Sequence, residues 1–463
     1  MSELIWHDAT DLAAAIRRGE LSCVELMSAC YDQIEALNPR LNAIVNLLPR
    51  EDATRLARTA DDERSAGARL GPLHGLPMAA KDLEDAAGFP TTRGFVPFAG
   101  NIPGQDGPLV ARQRAAGALF IGKTNVPEFG LGSHTFNSLF GVTRNPWDLE
   151  RTAGGSSGGA AVALASGMLP LADGSDMGGS LRNPASFCNV VGLRPSIGRV
   201  PNSDPMGWFA RLSTSGPMAR SVADTALLLS VQSGPYPPDP LTLSTPGSTL
   251  TGRLERDIRG LRLAWSPDLD FLPVDPEVST LIEQATRTFA DLGARVERAC
   301  PDLRGAMDVF QVQRAARMRI TGELLDESTP GWRRHAKDAT IWNIEKGQAL
   351  TTAELIDSER KRTRIYQRVA AFFEAFDALL LPAAQVPPFA VETEWITEIN
   401  GVQMALDLTD VLQANLLVER VWEPNFTRWL THLAKSSDTL IDIGGHCGYF
   451  SLLARHASSE SSR

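Results

Sequence analysis

The clearest hydrophobic periodicity near the N-terminus follows Ser22. Ser22 and Glu25 have the spacing of a capping box, and Leu26, Cys30, Ile34 and Leu37 recur at helical intervals. The pattern predicts a helix with one buried face, stopped at Asn38-Pro39. From residue 70 onward the texture changes to short apolar runs broken by Gly and Pro: LHGLPMAAKD, GALFIGKTN, AAVALASGMLPLADGS and NVVGLRP. Such runs predict strands and short helices joined by tight turns, a mixed α/β arrangement. Residues 234–251 form a Pro/Gly/Ser/Thr-rich connector. Beyond it, LRLAWSPDLDF reads as a strand entering a turn and PEVSTLIEQATRTFADLGARVERA as an amphipathic helix. Residues 300–375 read as mainly helical, and DALLLPAAQVPPF as a buried strand ended by prolines. There is no repeat of fixed period, and no stretch reaches the ~18 apolar residues of a membrane-spanning helix.

Composition narrows the function classes. The 463 residues are 43% hydrophobic and 22% charged, which excludes a disordered or fibrous chain. Fifty-five acids against 45 bases give a net charge of −10 without long like-charge blocks, which argues against a nucleic-acid binder. The expected partner is a small molecule or peptide, with neither nucleic acid nor membrane. Cys23, Cys30, Cys188, Cys300 and Cys447 are widely spaced, and no C-x-x-C pair or His cluster suggests a zinc site. A reducing compartment is the simpler reading. The N-terminus MSELIWHDATDLAAAIRRGE carries acids where a signal peptide needs bases, so the expectation is a soluble cytoplasmic protein.

Two pattern matches fail on their mechanics. Gly117–Thr124, GALFIGKT, fits the phosphate-loop expression, but Ala-Leu-Phe-Ile is a strand sequence rather than a flexible loop, and Pro127 falls in the first turn of the helix that should follow. Gly154–Gly158 fits G-x-S-x-G, yet NPWDLERTA is no apolar strand and no partner histidine is evident. The glycine blocks themselves are more informative: GGSSGG at 154–159, then a small-residue helix, then DGSDMGGSLRNPAS and VVGLRPSIGRVP. Glycine at this density lets backbone approach a reacting group and lets successive N–H groups point one way, as an oxyanion hole requires. An isolated Gly-Ser cluster would be read as a structural turn. Two clusters flanking one helix, with Lys81 in an apolar frame upstream, favour chemistry.

With these blocks the chain resembles the amidase signature family, over residues 5–405. The resemblance implies an α/β amidase signature fold with a mixed central β-sheet flanked by helices. It implies Ser180 as nucleophile, Ser156 on a cis peptide bond as proton relay, and Lys81 of LPMAAKD as base. It also implies an oxyanion hole of the N–H groups of Met177, Gly178, Gly179 and Ser180, and no cofactor. Asp176 and Arg182 bracket the nucleophile and are expected to brace its loop. Ser157 is expected to fix the turn. The residue chemistry supports these roles: a lysine is a base only when neutral, desolvation lowers its pKa, and a serine needs a neighbour to take its proton. Leu76, Pro77, Met78, Ala79 and Ala80 supply the apolar frame, while Asp82 next door is placed to oppose the shift. His134 and Cys188 lie near the motifs and are read as packing residues.

The implied reaction is hydrolysis of a small-molecule amide through an acyl-enzyme. The alternative within the family is the glutaminase component of a tRNA-dependent amidotransferase, although NPASFCNVVGLRPSIGRVP looks more like stand-alone amidases. After TEINGVQMA the likeness fades, and TLIDIGGHCGYFS, with Asp442, Gly444, Gly445, Gly448 and Ser451, resembles the first strand and glycine loop of class I S-adenosylmethionine-dependent methyltransferases. The expected organisation is therefore an amidase signature domain over 1–408, incomplete at its C-terminal end, and a methyltransferase-like fragment over 409–463. Too few residues follow Ser451 to complete a cofactor site, so a catalytically impaired fusion product is the alternative function class.

Overall fold

The computed structural model describes residues 3–202, 211–252, 254–393, 396–399 and 402–405. The methyltransferase-like reading of 409–463 lies outside the described residues. Contacts divide the chain into two interleaved units: 1–257 with 312–355, and 258–311 with the chain from 356 onward.

In the first unit the capping box forms as expected: Ser22 caps a helix over Cys23–Leu41, its Oγ accepting the Glu25 N–H while the Glu25 carboxylate accepts the Ser22 N–H. The helix runs past the expected stop at Asn38-Pro39. Pro39 sits in the last turn, where the ring removes only its own N–H, and the end comes at Asn42 with φ 52°. The Asn38 side chain accepts the N–H groups of Ala43 and Ile44, both at 2.9 Å, and turns the chain into the strand Ile44–Val45.

Two three-stranded sheets carry the site. In one, Leu119–Thr124 lies between Ile44–Val45, antiparallel, and Pro77–Lys81, parallel. In the other, Thr214–Ala219 lies between Leu171–Asp176 and Val191–Gly192, both antiparallel to it. The Lys81 and Asp176 strands adjoin. The helix Gly158–Ala165 is buried almost throughout because GGAAVALA offers no large side chain to hold it off the strands. Around it, Ile16, Leu26, Ile34, Met78, Phe120, Leu171 and Met218 form the main core. GALFIGKT is the strand its apolar residues predict, and Lys123 is inside the protein, donating to the Glu84 carbonyl and to Thr91 Oγ1. A second cluster joins Phe95 to Met318, Leu325, Trp332 and Ile344, which brings the helices Ala306–Ser328 and Asp338–Ala349 into contact with the N-terminal part.

The second unit holds a parallel sheet. Arg262–Trp265 lies between Arg295–Arg298 and Ala378–Leu380, and the helix Pro276–Asp291 makes the crossover between the first two of these strands. The strands and the crossover helix lie where expected, although Ala378–Leu380, read as a buried strand, is only half-buried. A hairpin of Ile396–Ile399 and Val402–Ala405 follows.

Candidate active site

Lys81 ends its strand with its side chain sealed from solvent at 0% exposure. Its Nζ lies 2.8 Å from Ser156 Oγ and 2.8 Å from Ser157 Oγ, and 3.0 and 3.2 Å from the hydroxyl and carbonyl oxygens of Ser175. Burial pulls the ammonium down to about 7, against the opposing charges of Glu84, Asp176 and Asp173. Asp82 is not among the acids that hold the proton on. Its carboxylate accepts from the Thr92 N–H and hydroxyl and lies 3.9 Å from Lys123 Nζ.

Ser156 follows Gly155 through a cis peptide bond in the loop before the helix Gly158–Ala165. That loop is held from several sides: Asn183 Oδ1 accepts the Gly155 N–H at 3.0 Å, Thr135 Oγ1 donates to the Gly154 carbonyl at 2.8 Å, and the Gly158 N–H donates to the same hydroxyl at 3.2 Å. Gly154 takes φ +74°, and a Cβ there would stand 2.9 Å from Pro184 Cα, so only glycine fits without displacement.

Ser180 lies between the strand Leu171–Asp176 and the helix Arg182–Cys188, and its carbonyl accepts the Ser157 N–H at 3.3 Å. The two glycine blocks, separate in sequence, are thus joined directly. Asp176 sits at the centre of this turn's hydrogen bonds. Its carboxylate accepts from the Gly179 and Leu181 N–H groups at 2.9 and 3.1 Å and from two nitrogens of Arg182, both at 3.0 Å. Burial alone would raise the Asp176 pKa, but the Arg182 bond and charge, the Gly179 N–H and Arg194 together bring it down to about 2.

The expected oxyanion donors divide. The Gly179 N–H, at a residue with φ +118°, is engaged by Asp176, whereas those of Met177, Gly178 and Ser180 have no partner among the described residues. A main-chain donor pointed back into its own turn serves the loop. His134 is buried, with Nδ1 2.7 Å from Thr152 Oγ1 and its ring 4.9 Å from Phe136. Cys188 is buried with its thiol 3.6 Å from the Ala153 carbonyl, and burial pushes its pKa up. Both are packing residues, as read from the sequence.

Three contributors escaped the sequence reading. Ser175 and Asp173 lie inside the GSDMGGS block and its lead-in, where alternation along a strand puts Ser175 beside Lys81. Arg194, in VVGLRPS, donates to Asp176 Oδ1 at 3.0 Å and to the carbonyls of Asp176 and Leu212. No spacing rule connects an arginine in a loop with an aspartate at the end of a strand 18 residues earlier. Among the described residues no cluster of His, Cys, Asp and Glu could hold a metal, and no helix is long and apolar enough to cross a membrane.

The family model described as Amidase matches residues 25–421, which carries the likeness past the expected boundary at 408. An acylamidase of Rhodococcus erythropolis is 36% identical, over 88% of this chain and 85% of that protein. A glutamyl-tRNA(Gln) amidotransferase component from Acidothermus cellulolyticus is also 36% identical, over 84% of this chain and 82% of that one. Among solved structures, a bacterial aryl acylamidase belonging to the amidase signature family superposes with a TM-score of 0.82 at 29% identity, covering 90% of this chain and 88% of that one. With the family model spanning most of its length, the chain belongs to the amidase family and is an amide hydrolase.

Proposed function

We propose that this amidase hydrolyses a small-molecule carboxylic amide through a serine acyl-enzyme, with Ser180 as nucleophile, Ser156 as relay and Lys81 as base. The observation that carries the reading is the sealed Lys81 amine 2.8 Å from the Ser156 hydroxyl. Neutral Lys81 takes the Ser156 proton as Ser156 takes that of Ser180, and Ser180 Oγ attacks the carbonyl carbon. The free N–H groups of Met177, Gly178 and Ser180 receive the oxyanion. The relay then delivers a proton to the amine, the C–N bond breaks, and water hydrolyses the resulting ester by the same route. Ser157 and Ser175 hold the Lys81 amine, and Asp176 with Arg182 holds the nucleophile turn.

Similarity to the acylamidase and the aryl acylamidase favours an acyl aryl amide as substrate. The test is labelling by a serine-reactive fluorophosphonate together with hydrolysis of a simple aryl amide. Both are expected in the wild type and absent in Ser180→Ala; labelling that persists in the variant overturns the nucleophile assignment. Similarity to the amidotransferase component supports a second reading, the glutaminase, and ammonia release from glutamine in place of aryl amide hydrolysis would select it. A cooperative melt with turnover would dismiss the impaired-product alternative.

A further inference from the structure

The buried charge at Lys81 extends beyond the proposed triad. Asp173, on the strand Leu171–Asp176, has 0% exposure. Its Oδ2 accepts the main-chain N–H of Lys81 at 3.1 Å, and its Oδ1 has no hydrogen-bond partner. Lys123 faces this region from the strand Leu119–Thr124, with Nζ committed to the Glu84 carbonyl and Thr91 Oγ1. Asp82, Glu84 and Asp85 face it from the turn after Lys81, with Glu84 accepting the Ser215 hydroxyl at 2.8 Å. Asp176, on the same strand as Asp173, is already paired with Arg182 and Arg194. The neighbouring strand Thr214–Ala219 and helix Gly158–Ala165 offer no titratable side chain. The helix Val222–Gln232 offers only Asp224, which accepts the N–H groups of Ala9 and Thr10.

We propose that Asp173 is a positioning residue of the amide-hydrolysing site: it fixes Lys81 through the main chain, and its charge sets the pH at which the Lys81 amine is neutral. This rests on Lys81 acting as the base. A carboxylate with one oxygen bonded and the other facing no donor in a dry interior is costly, so Asp173 takes up a proton more readily than a surface aspartate. Burial, with Glu84 acting in the same sense, raises its pKa to about 7, while burial lowers that of Lys81 to about 7. The two groups titrate in one range and influence each other. Ionised Asp173 holds the proton on Lys81; protonated Asp173 lets it go.

The test is the pH dependence of kcat/KM in wild type, Asp173→Asn and Asp173→Ser, both uncharged and both keeping an acceptor for the Lys81 N–H. The acid limb, set by the free enzyme's base, is expected to move down by roughly one pH unit in each variant. A lower Tm with the limb unmoved is the signature of a merely structural residue and overturns the proposal. Lys81→Met separates the two readings. If it retains wild-type turnover the base assignment fails, whereas an inactive Lys81→Met with an unmoved limb in the Asp173 variants fails this proposal alone. Should neither uncharged variant fold, Asp173→Glu decides: the infrared band of a protonated buried carboxyl above pH ~5 is expected to shift relative to wild type, and an unshifted band overturns the proposal.

Discussion

Asp176 keeps its charge although fully buried because two arginines and two main-chain donors surround it. The arrangement has a definite pH signature. Its folded pKa of about 2 lies below the ordinary 3.8, so the stability it contributes is fully present above that ordinary value and is lost as pH falls through about 2. Arg182 is 47% exposed on its side chain and shares its charge with water, whereas Arg194 is more deeply set at 25%. Arg194→Met is therefore expected to raise the midpoint of acid unfolding and to cost roughly 2–4 kcal/mol at neutral pH, because it strips a partner from a buried carboxylate. Circular dichroism across an acid titration checks this, and an unmoved midpoint would refute it. At this scale the motifs named residues that the fold brings together, with Lys81 bonded to Ser156 and Asp176 to Arg182. Direction was not legible. Asp82 adjoins Lys81 in sequence yet turns to Thr92 and Lys123, and Gly179 looks like an oxyanion donor until its N–H is seen to meet Asp176.

The helix Gly158–Ala165 packs against the strands that bear Lys81 and Asp176, and its small residues let it lie close to them. A Cβ at Gly159 would stand 2.3 Å from the Asn125 nitrogen and 2.6 Å from the Ala43 carbonyl oxygen, both backbone atoms that cannot turn aside. Gly159→Ala is expected to destabilise the fold by more than ~2 kcal/mol and to reduce amide hydrolysis. Gly104→Ala, where a Cβ meets nothing within 4 Å, is expected to stay within ±0.5 kcal/mol, roughly the surface range. Urea denaturation of the pair measures the difference, and equal stabilities would refute the close-approach argument. Elements were the most legible level. Apolar runs such as GALFIGKT and LRLAW gave their strands, since burial on both faces leaves a continuous hydrophobic signature. The helix end at Asn42 was misplaced because proline in a final turn removes a donor without removing the helix.

Residues 312–355 return to the first unit from far along the chain. Glu128, buried, accepts the Lys337 N–H at 3.0 Å and the Thr340 hydroxyl at 2.6 Å with the same oxygen, across 209 and 212 residues of chain. Lys337 in turn donates its ammonium to the Phe136 carbonyl at 2.8 Å and sits over the Phe136 ring. No periodicity connects a glutamate in one loop with a helix start two hundred residues on, which is why this junction was invisible in the sequence. It also bears on the chemistry. Gly130, two residues beyond Glu128, lies close enough to Ser156, the proposed relay, that a Cβ there would stand 3.4 Å from its Oγ. Glu128→Ala would leave the first N–H of the helix Asp338–Ala349 region and the Thr340 hydroxyl without their acceptor, at a cost of roughly 2–4 kcal/mol. Thr340→Val removes one donor and leaves the carboxylate its main-chain bond, so about 1 kcal/mol is expected. If the junction also positions the Gly130 loop, kcat falls in Glu128→Ala under conditions where the variant remains folded, while Thr340→Val stays near wild type. Urea melts and initial rates on the same preparations decide the matter: a Glu128→Ala enzyme with reduced stability but undiminished kcat would confine Glu128 to holding the fold.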